Sequence, residues 1–427
     1  MNKKADLLGL TDDSVNRNSR ADLNAHLSDS RGDQSGLKPR LRFPEFLESG
    51  EWEKKYLNQI AQPVFDNPTK KDEILTLSGE QGVVLQSEYF GKKIAGDNVE
   101  RYIRVSRNDF IYNDRTTKLS TYGSIKRLSK YESGLVSPIY KCFRFNGEEN
   151  PVFWEWYFES GIHETQLHGL VNEGARAGRF NISIDKFLST LVWLPESPEQ
   201  QKIADCLTSL DELIAAERAR LEALKAYKKG LLQNLFPAEG ESLPRLRFPE
   251  FQSAGEWEER KLGSICAVLN NQRRPISSEY REKGSYPYYG ASGIVDFVND
   301  FIFNERLLLI GEDGAKWGAF EQTAFIAEGK YWVNNHAHVI KTNGVNDTFL
   351  ENYLNMVDLS PFITGHAPPK LTLGKLKEIS IPIPPLTVEQ RKIAEFLTSI
   401  DDEISAQDQR LAVLQSHKKG LLQGLFP

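Results

Sequence analysis

From Arg101 to Phe145 the chain carries ten lysines and arginines against three acidic residues, interleaved with Tyr102, Tyr112, Tyr122, Tyr131 and Tyr140. Cations beside aromatic rings suit a nucleic-acid surface, because Lys and Arg grip phosphate while ring faces stack on bases. Arg and Lys also pair with guanine edges, and Asn or Gln with adenine. The candidate contacts in the first half are Arg115, Lys118, Lys126, Arg127, Arg176, Arg179 and Asn181. Those in the second half are Gln272, Arg273, Arg274, Lys316, Asn334, His336, His366 and Lys370. Solvated surface charge competes as the explanation for roughly half of them, since Lys and Arg are mostly exposed in any fold.

Other chemistries have less to work with. Cys142, Cys206 and Cys266 form no CxxC pair, which fits a reducing cytoplasm and argues against a disulfide framework or zinc cluster. His336 and His338 are the one close histidine pair, and no ligand set at metal spacing stands beside them, so no metal site is expected. There is no GxxxxGK[ST] loop to cradle ATP. Glu328-Gly329-Lys330 has a nuclease-like spacing that arises by chance in any charged chain. No run of about 18 apolar residues is present to span a membrane. With 53 basic and 59 acidic residues the net charge is −6, so the acidic excess belongs on other surfaces, such as those facing protein partners.

The elements that must position these residues are written twice. Arg40-Leu41-Arg42-Phe43-Pro44-Glu45-Phe46 returns letter for letter as Arg245 to Phe251, 205 residues later, and Gly50-Glu51-Trp52-Glu53 returns as Gly255 to Glu258. Gln200-Gln201-Lys202-Ile203-Ala204 is echoed by Gln390-Arg391-Lys392-Ile393-Ala394, and Lys228 to Gln233 returns as Lys418 to Gln423, now 190 residues apart. Matched ends around unmatched middles point to one scaffold holding two different readers.

Ser197-Pro198-Glu199-Gln200 and Thr387-Val388-Glu389-Gln390 have the form of helix starts, with Ser197 and Thr387 as caps and the glutamines completing capping boxes. Apolar residues then follow in heptad steps: Ile203, Leu207, Leu210, Ile214, Leu221 and Leu224 in the first copy, and Ile393, Leu397, Ile400, Ile404, Leu411 and Leu414 in the second. Both series break at matching places, Glu217 and Gln407, then Lys228 and Lys418. That implies two copies of one helix packed antiparallel about a pseudo-twofold axis, each a rod of roughly 55 Å. Gly230 and Gly420 inside the pattern suggest close helix approach, a partner contact or a frayed last turn.

The readers mix strands with one helix each. Strands are expected at 102–105, 109–112, 139–145, 301–310, 324–327 and 338–341, and helices at 152–160 and 349–357.

The Glu-Gln-x-Lys-Ile-Ala opening of each helix, Glu199–Ala204 with Asp211 and Glu389–Ala394 with Asp401, resembles the specificity (S) subunit of Type I restriction–modification enzymes. Tyr288 to Ile294, Leu309 to Gly314 and Trp332 to Asn335 are similar to that family's target-recognition segments, and the resemblance covers about Leu37 to Pro427. It implies an α+β fold in which two globular target-recognition domains of mixed β-sheet and helices are separated by two long antiparallel coiled-coil helices in a pseudo-twofold repeat. The corresponding division is a flexible tail at 1–36, a first target-recognition domain at 37–196, a spacer helix at 197–236, a second domain at 237–386 and a second spacer helix at 387–427.

The implied function is a non-catalytic DNA reader. Each domain would read one half of an asymmetric bipartite site on double-stranded DNA, and the helices would set the unread spacer at about one helical turn. The implied partners are two methyltransferase (M) subunits and, in the full phage-defence complex, motor-nuclease (R) subunits. S-adenosylmethionine, ATP and Mg would belong to those partners, with no cofactor in this chain. Asn150-Pro151-Val152-Phe153 only partly fits the Asn-Pro-Pro-aromatic motif of amino-methyltransferases, and no glycine-rich cofactor loop precedes it. A coiled-coil adaptor joining two proteins is the alternative; it accounts for the helices but not for the basic, tyrosine-rich segment.

Overall fold

The computed structural model describes residues 37–69, 72–92, 99–115, 121–168, 170, 182–365 and 367–427. The fold is α+β and divides into two compact units, one of residues 1–212 with 414–427 and the other of residues 213–413. The expected tail at 1–36 lies outside the described residues.

In the first unit, strand β1 (Glu53–Tyr56) is clasped antiparallel by β6 (Leu191–Leu194), closing the start of the reader onto its end. Between them lies an antiparallel four-stranded sheet with spatial order β2 (Ala61–Pro63), β5 (Lys141–Phe145), β3 (Phe110–Asn113) and β4 (Ser124–Arg127). Helix α1 (Pro151–Ser160) follows β5 and buries Phe153, Trp154, Trp156, Tyr157 and Phe158. With Phe110, Phe143 and Phe187 these rings make an aromatic core, whose size rather than any special polarity explains the tyrosine- and phenylalanine-rich sequence here. Asn150 caps α1 by accepting from the Val152 and Phe153 amides, and Pro151 takes the first helical position. That local role accounts for Asn-Pro-Val-Phe.

The second unit repeats the plan. Strand β7 (Glu258–Lys261) is clasped by β12 (Ser380–Ile383). The sheet order is β8 (Cys266–Val268), β11 (Ala337–Thr342), β9 (Leu307–Gly311) and β10 (Ala324–Ala327), again antiparallel throughout. Helix α3 (Asp347–Met356) follows β11 and is capped by Asn346. The middles that share no readable sequence therefore share a sheet. What differs is the rest. The first unit adds the ribbon pairs Leu75–Ser78 with Gly82–Leu85 and Ile103–Ser106 with Ser133–Val136. The second adds a four-stranded sheet of Gly293–Val298, Lys283–Gly290, Lys330–Val333 and Phe303–Asn304.

The long helices are α2 (Ser197–Leu235) and α4 (Thr387–Leu425), 39 residues each. Ile203, Leu207, Ile214, Leu221, Ile393, Leu397, Ile400 and Leu411 are buried, and Leu210, Leu224, Ile404 and Leu414 are half-buried, as a heptad seam requires. Within the second unit Glu217 meets Gln407 and Lys228 meets Asp401, so partner numbers fall on one helix as they rise on the other and the stretches run antiparallel. The lysine interruptions of the seam are filled by ion pairs: Lys228 Nζ lies 2.6 Å from Asp401, and its repeat equivalent Lys418 pairs with Asp211 in the first unit.

Two sequence expectations change. Ser197 and Thr387 are themselves helical, and Gln200 and Gln390 do not close capping boxes. Gln200 Oε1 accepts from the Asn150 amide at 3.2 Å and Gln390 Oε1 from the Asn346 amide at 2.9 Å, tying each long helix to the N-terminus of its reader helix. A Cβ at Gly230 or Gly420 would meet nothing within 4 Å, so neither marks a close helix approach within the chain. The close approach is at Gly424, where a Cβ would lie 2.5 Å from Leu41.

Candidate nucleic-acid interface

The repeated letters hold the scaffold together. Arg42 makes a two-pronged ion pair with Glu199, at 2.8 and 2.6 Å, and Arg247 makes the same pair with Glu389, at 2.7 and 2.8 Å. All four side chains are buried, and the planar fork of arginine suits a carboxylate out of water. The glutamates hold both arginines above their ordinary pKa, against the opposing pull of burial. These glutamates are structural.

The candidate contacts divide by unit. In the first, Arg115 is exposed, while Lys126 and Arg127, both on β4, reach α1 instead of solvent. Lys126 Nζ lies 2.7 Å from Glu159, and Arg127 bonds Glu155 and Asn108 at 2.8 Å each. Ion pairs of Arg104 with Asp72, Arg107 with Glu132, Lys141 with Asp114 and Arg144 with Asp109 neutralise much of the remaining basic excess between Arg101 and Phe145. Tyr112 and Tyr140 are buried. The basic, aromatic pattern is thus largely internal packing and pairing. Lys118, Arg176, Arg179 and Asn181 lie outside the described residues.

In the second unit the candidates converge. The loop after β9 carries Glu312 and Asp313 between glycines that its geometry requires. A Cβ at Gly311 would lie 2.3 Å from that of Ala315, and Gly314 has φ +72°. Arg273 is a strut: its Nη1 donates to Glu312 at 2.7 Å and to the carbonyls of Ala337 and Asn335 at 2.8 and 3.2 Å. It joins the 312 loop to the 334–337 loop, and so is committed inside the protein. Asn334 is also buried, and its Oδ1 accepts from the His336 amide at 2.7 Å. Asp313, 8% exposed, receives His336 Nδ1 on one oxygen and Lys370 Nζ at 2.9 Å on the other. Burial pushes the Asp313 carboxyl up, but the bonds from Lys370 and His336 outweigh it and hold the group below its ordinary pKa. Gln272 and Arg274 are exposed beside this cluster, where the Arg274 amide meets the Val333 carbonyl. Lys316 is exposed on the same loop as Asp313, 3.3 Å from Glu321. His366 lies outside the described residues.

The paired histidines have opposite settings. His338 is fully buried, donates from Nε2 to the Leu371 carbonyl at 2.7 Å and receives the Asn270 amide on Nδ1 at 2.9 Å. Desolvation lowers its pKa, so it is a neutral core histidine. His336 is half-exposed. Among the described residues no group of three or more His, Cys, Asp or Glu side chains could hold a metal ion, and no helix is long and apolar enough to cross a membrane. Asp313, the residue that organises this cluster, was absent from the sequence candidates. Its signal was the Gly311-Glu312-Asp313-Gly314 turn facing two basic loops.

Residues 254–416 match the family model of the Type I restriction modification DNA specificity domain. That span begins in the second copy of the reader motif and runs into α4, so it covers a reader together with its scaffold helix. Over that span the chain is similar to type I specificity domains. Two relatives, both provisionally assigned as type I restriction enzyme specificity subunits, come from Haemophilus influenzae and Methanocaldococcus jannaschii. The first is 40% identical over 154 residues, 35% of this chain, and the second 28% identical over 245 residues, 54% of this chain. The chain spans 38% and 56% of those relatives' own lengths. The crystal structure of a Type-I restriction-modification S subunit from M. genitalium shares the fold, with TM-score 0.59 at 18% identity over 92% of this chain and 99% of that one.

Proposed function

We propose that this chain is a specificity subunit that reads a bipartite, asymmetric sequence on double-stranded DNA, with residues 37–196 recognising one half and residues 237–386 the other. The observation that carries the reading is the duplicated scaffold. Arg42–Glu199 and Arg247–Glu389 tie the like segments that lead into each reader to like helices, and the readers share one sheet order while their added strands differ. A protein that must read two unlike half-sites needs two unlike rims on one frame.

The two 39-residue helices, at roughly 58 Å each, set the unread spacer and dock two modification subunits. Those subunits supply S-adenosylmethionine and the adenine methylation, with the target base flipped from the duplex into their active site. Motor-nuclease subunits, with ATP and Mg, add cleavage in the cytoplasm. This chain supplies address rather than catalysis. In the second domain His336, Lys370, Gln272, Arg274 and Lys316 face DNA, and Arg273 and Asn334 hold them in place. In the first domain Arg115 and the candidates at 118, 176, 179 and 181 carry the contacts. Exchanging residues 37–196 for the first domain of another specificity subunit tests the scheme: one half of the recognised sequence changes, and a change in both halves contradicts it.

A further inference from the structure

His336 is presented by a backbone pinned on both sides. Its amide donates to Asn334 Oδ1 at 2.7 Å, and its carbonyl accepts from the Glu312 amide at 2.8 Å. Its ring is half-exposed, and Nδ1 bonds the buried Asp313 carboxylate. A carboxylate only accepts, so the ring proton sits on Nδ1, and Nε2 of the neutral imidazole is left as an acceptor. Nε2 has no partner among the described residues. The second Asp313 oxygen is occupied by Lys370, whose own backbone is fixed by reciprocal 2.8 Å bonds with Thr364. Asp313 therefore cannot swing away without abandoning both Lys370 and the His336 ring.

In the major groove only the exocyclic amino groups of adenine and cytosine offer hydrogen-bond donors. Resting on the DNA-reading function proposed above, we infer that His336 Nε2 accepts from such an amino group in the half-site read by the second domain, and that Asp313 is the positioning residue that fixes the tautomer. The pair selects amino-bearing bases at one position and rejects guanine and thymine, whose major-groove edges present acceptors there. His338, two residues away, carries its proton on Nε2 and is spent on the core, so only one of the two histidines can serve.

The test is selection of a randomised duplex pool by the full chain at pH 8, comparing wild type with Asp313→Asn and His336→Ala. The carboxamide introduced by Asp313→Asn can donate to Nδ1, which moves the ring proton to Nε2 and turns the acceptor into a donor. Asp313→Asn is expected to shift one position of one half-site from A or C towards G or T. His336→Ala is expected to lose about tenfold discrimination at that same position, since one base contact carries on the order of 1–3 kcal/mol. The other half and the spacer stay as in wild type. Identical motifs in all three proteins, or a loss spread evenly over all positions, overturns the inference. If Asp313→Asn fails to fold, the exposed His336→Ala decides by the same criterion. Enrichment of no motif by wild type overturns the DNA reading itself, and this inference with it.

Discussion

Gln407 donates its side-chain amide to the carboxylate of Glu217 at 2.6 Å and to the Glu217 backbone carbonyl at 2.9 Å, and these two residues are each other's counterparts across the 190-residue repeat. Both are buried in the helix seam, and Arg410 adds an ion pair to Glu217 at 2.7 Å. Where a repeat meets itself, identical residues would face each other. Two glutamates would set two carboxylates side by side out of water, and the Glu–Gln difference removes that conflict.

Gln407→Glu restores it. With both carboxylates ionised the variant loses about 2–4 kcal/mol at pH 8. The raised carboxyl pKa means that the loss shrinks as pH falls towards 5, when one proton is shared. Thermal melts at the two pH values check this, and a melting point unchanged at pH 8 contradicts it.

Arg42→Ala and Arg247→Ala each leave a buried glutamate, Glu199 or Glu389, without its partner. Each substitution costs roughly 3–5 kcal/mol, because the uncompensated charge stays buried. Denaturant unfolding measures the loss. The equivalent positions should give losses of similar size, and a negligible effect at either would deny the scaffold role of the repeated motif.

Glu351 on α3 supplies the pH-dependent term. Burial pushes its pKa from 4.5 up to about 7, with the nearby Lys228 opposing and Asp401 adding to the shift. A folded-state pKa above the unfolded value means stability is highest below about 4.5 and is lost as pH rises through 7. Glu351→Gln removes that loss, raising stability at pH 8 by on the order of 2–3 kcal/mol and leaving it almost unchanged near pH 4.5. Equal melting of the two proteins at pH 8 contradicts the assignment.

DNA affinity separates the two domains' cations. Arg274→Ala removes an exposed charge with no ion-pair partner among the described residues and reduces the salt slope of binding by about one. Lys126→Ala and Arg127→Ala, whose charges are tied to Glu159 and Glu155, leave that slope near wild type. Salt titrations of duplex binding decide, and a slope that falls with Lys126 or Arg127 while ignoring Arg274 reverses the picture.

The scaffold was legible because identical residues make identical contacts: Arg42 and Arg247 meet Glu199 and Glu389, and the buried seam residues keep heptad steps. The meaning of the breaks was not legible, since Glu217 finds Gln407 and Lys228 finds Asp401 only once antiparallel register places them together. The common sheet of the readers was hidden for a different reason. Strands such as Phe110–Asn113 and Leu307–Gly311 need only apolar residues that fit the pleat, and many sequences meet that demand. Expected strands at 324–327 and 338–341 fall where β10 and β11 are, whereas the expected single strand at 301–310 is two, Phe303–Asn304 and Leu307–Gly311. Among the candidate residues, sequence named Arg273, Asn334, His336 and Lys370, which the fold gathers into one cluster, but not the bonds each makes there. A residue's type says what it can bond, and only its neighbours say whether those bonds are already used.

Methylome sequencing tests the central claim most directly, in cells expressing this chain with a type I modification subunit, against cells lacking the chain. The account predicts a new split motif with methyladenine in both halves, separated by a fixed unread spacer. A methylome identical with and without the chain, although the two proteins assemble, would contradict it.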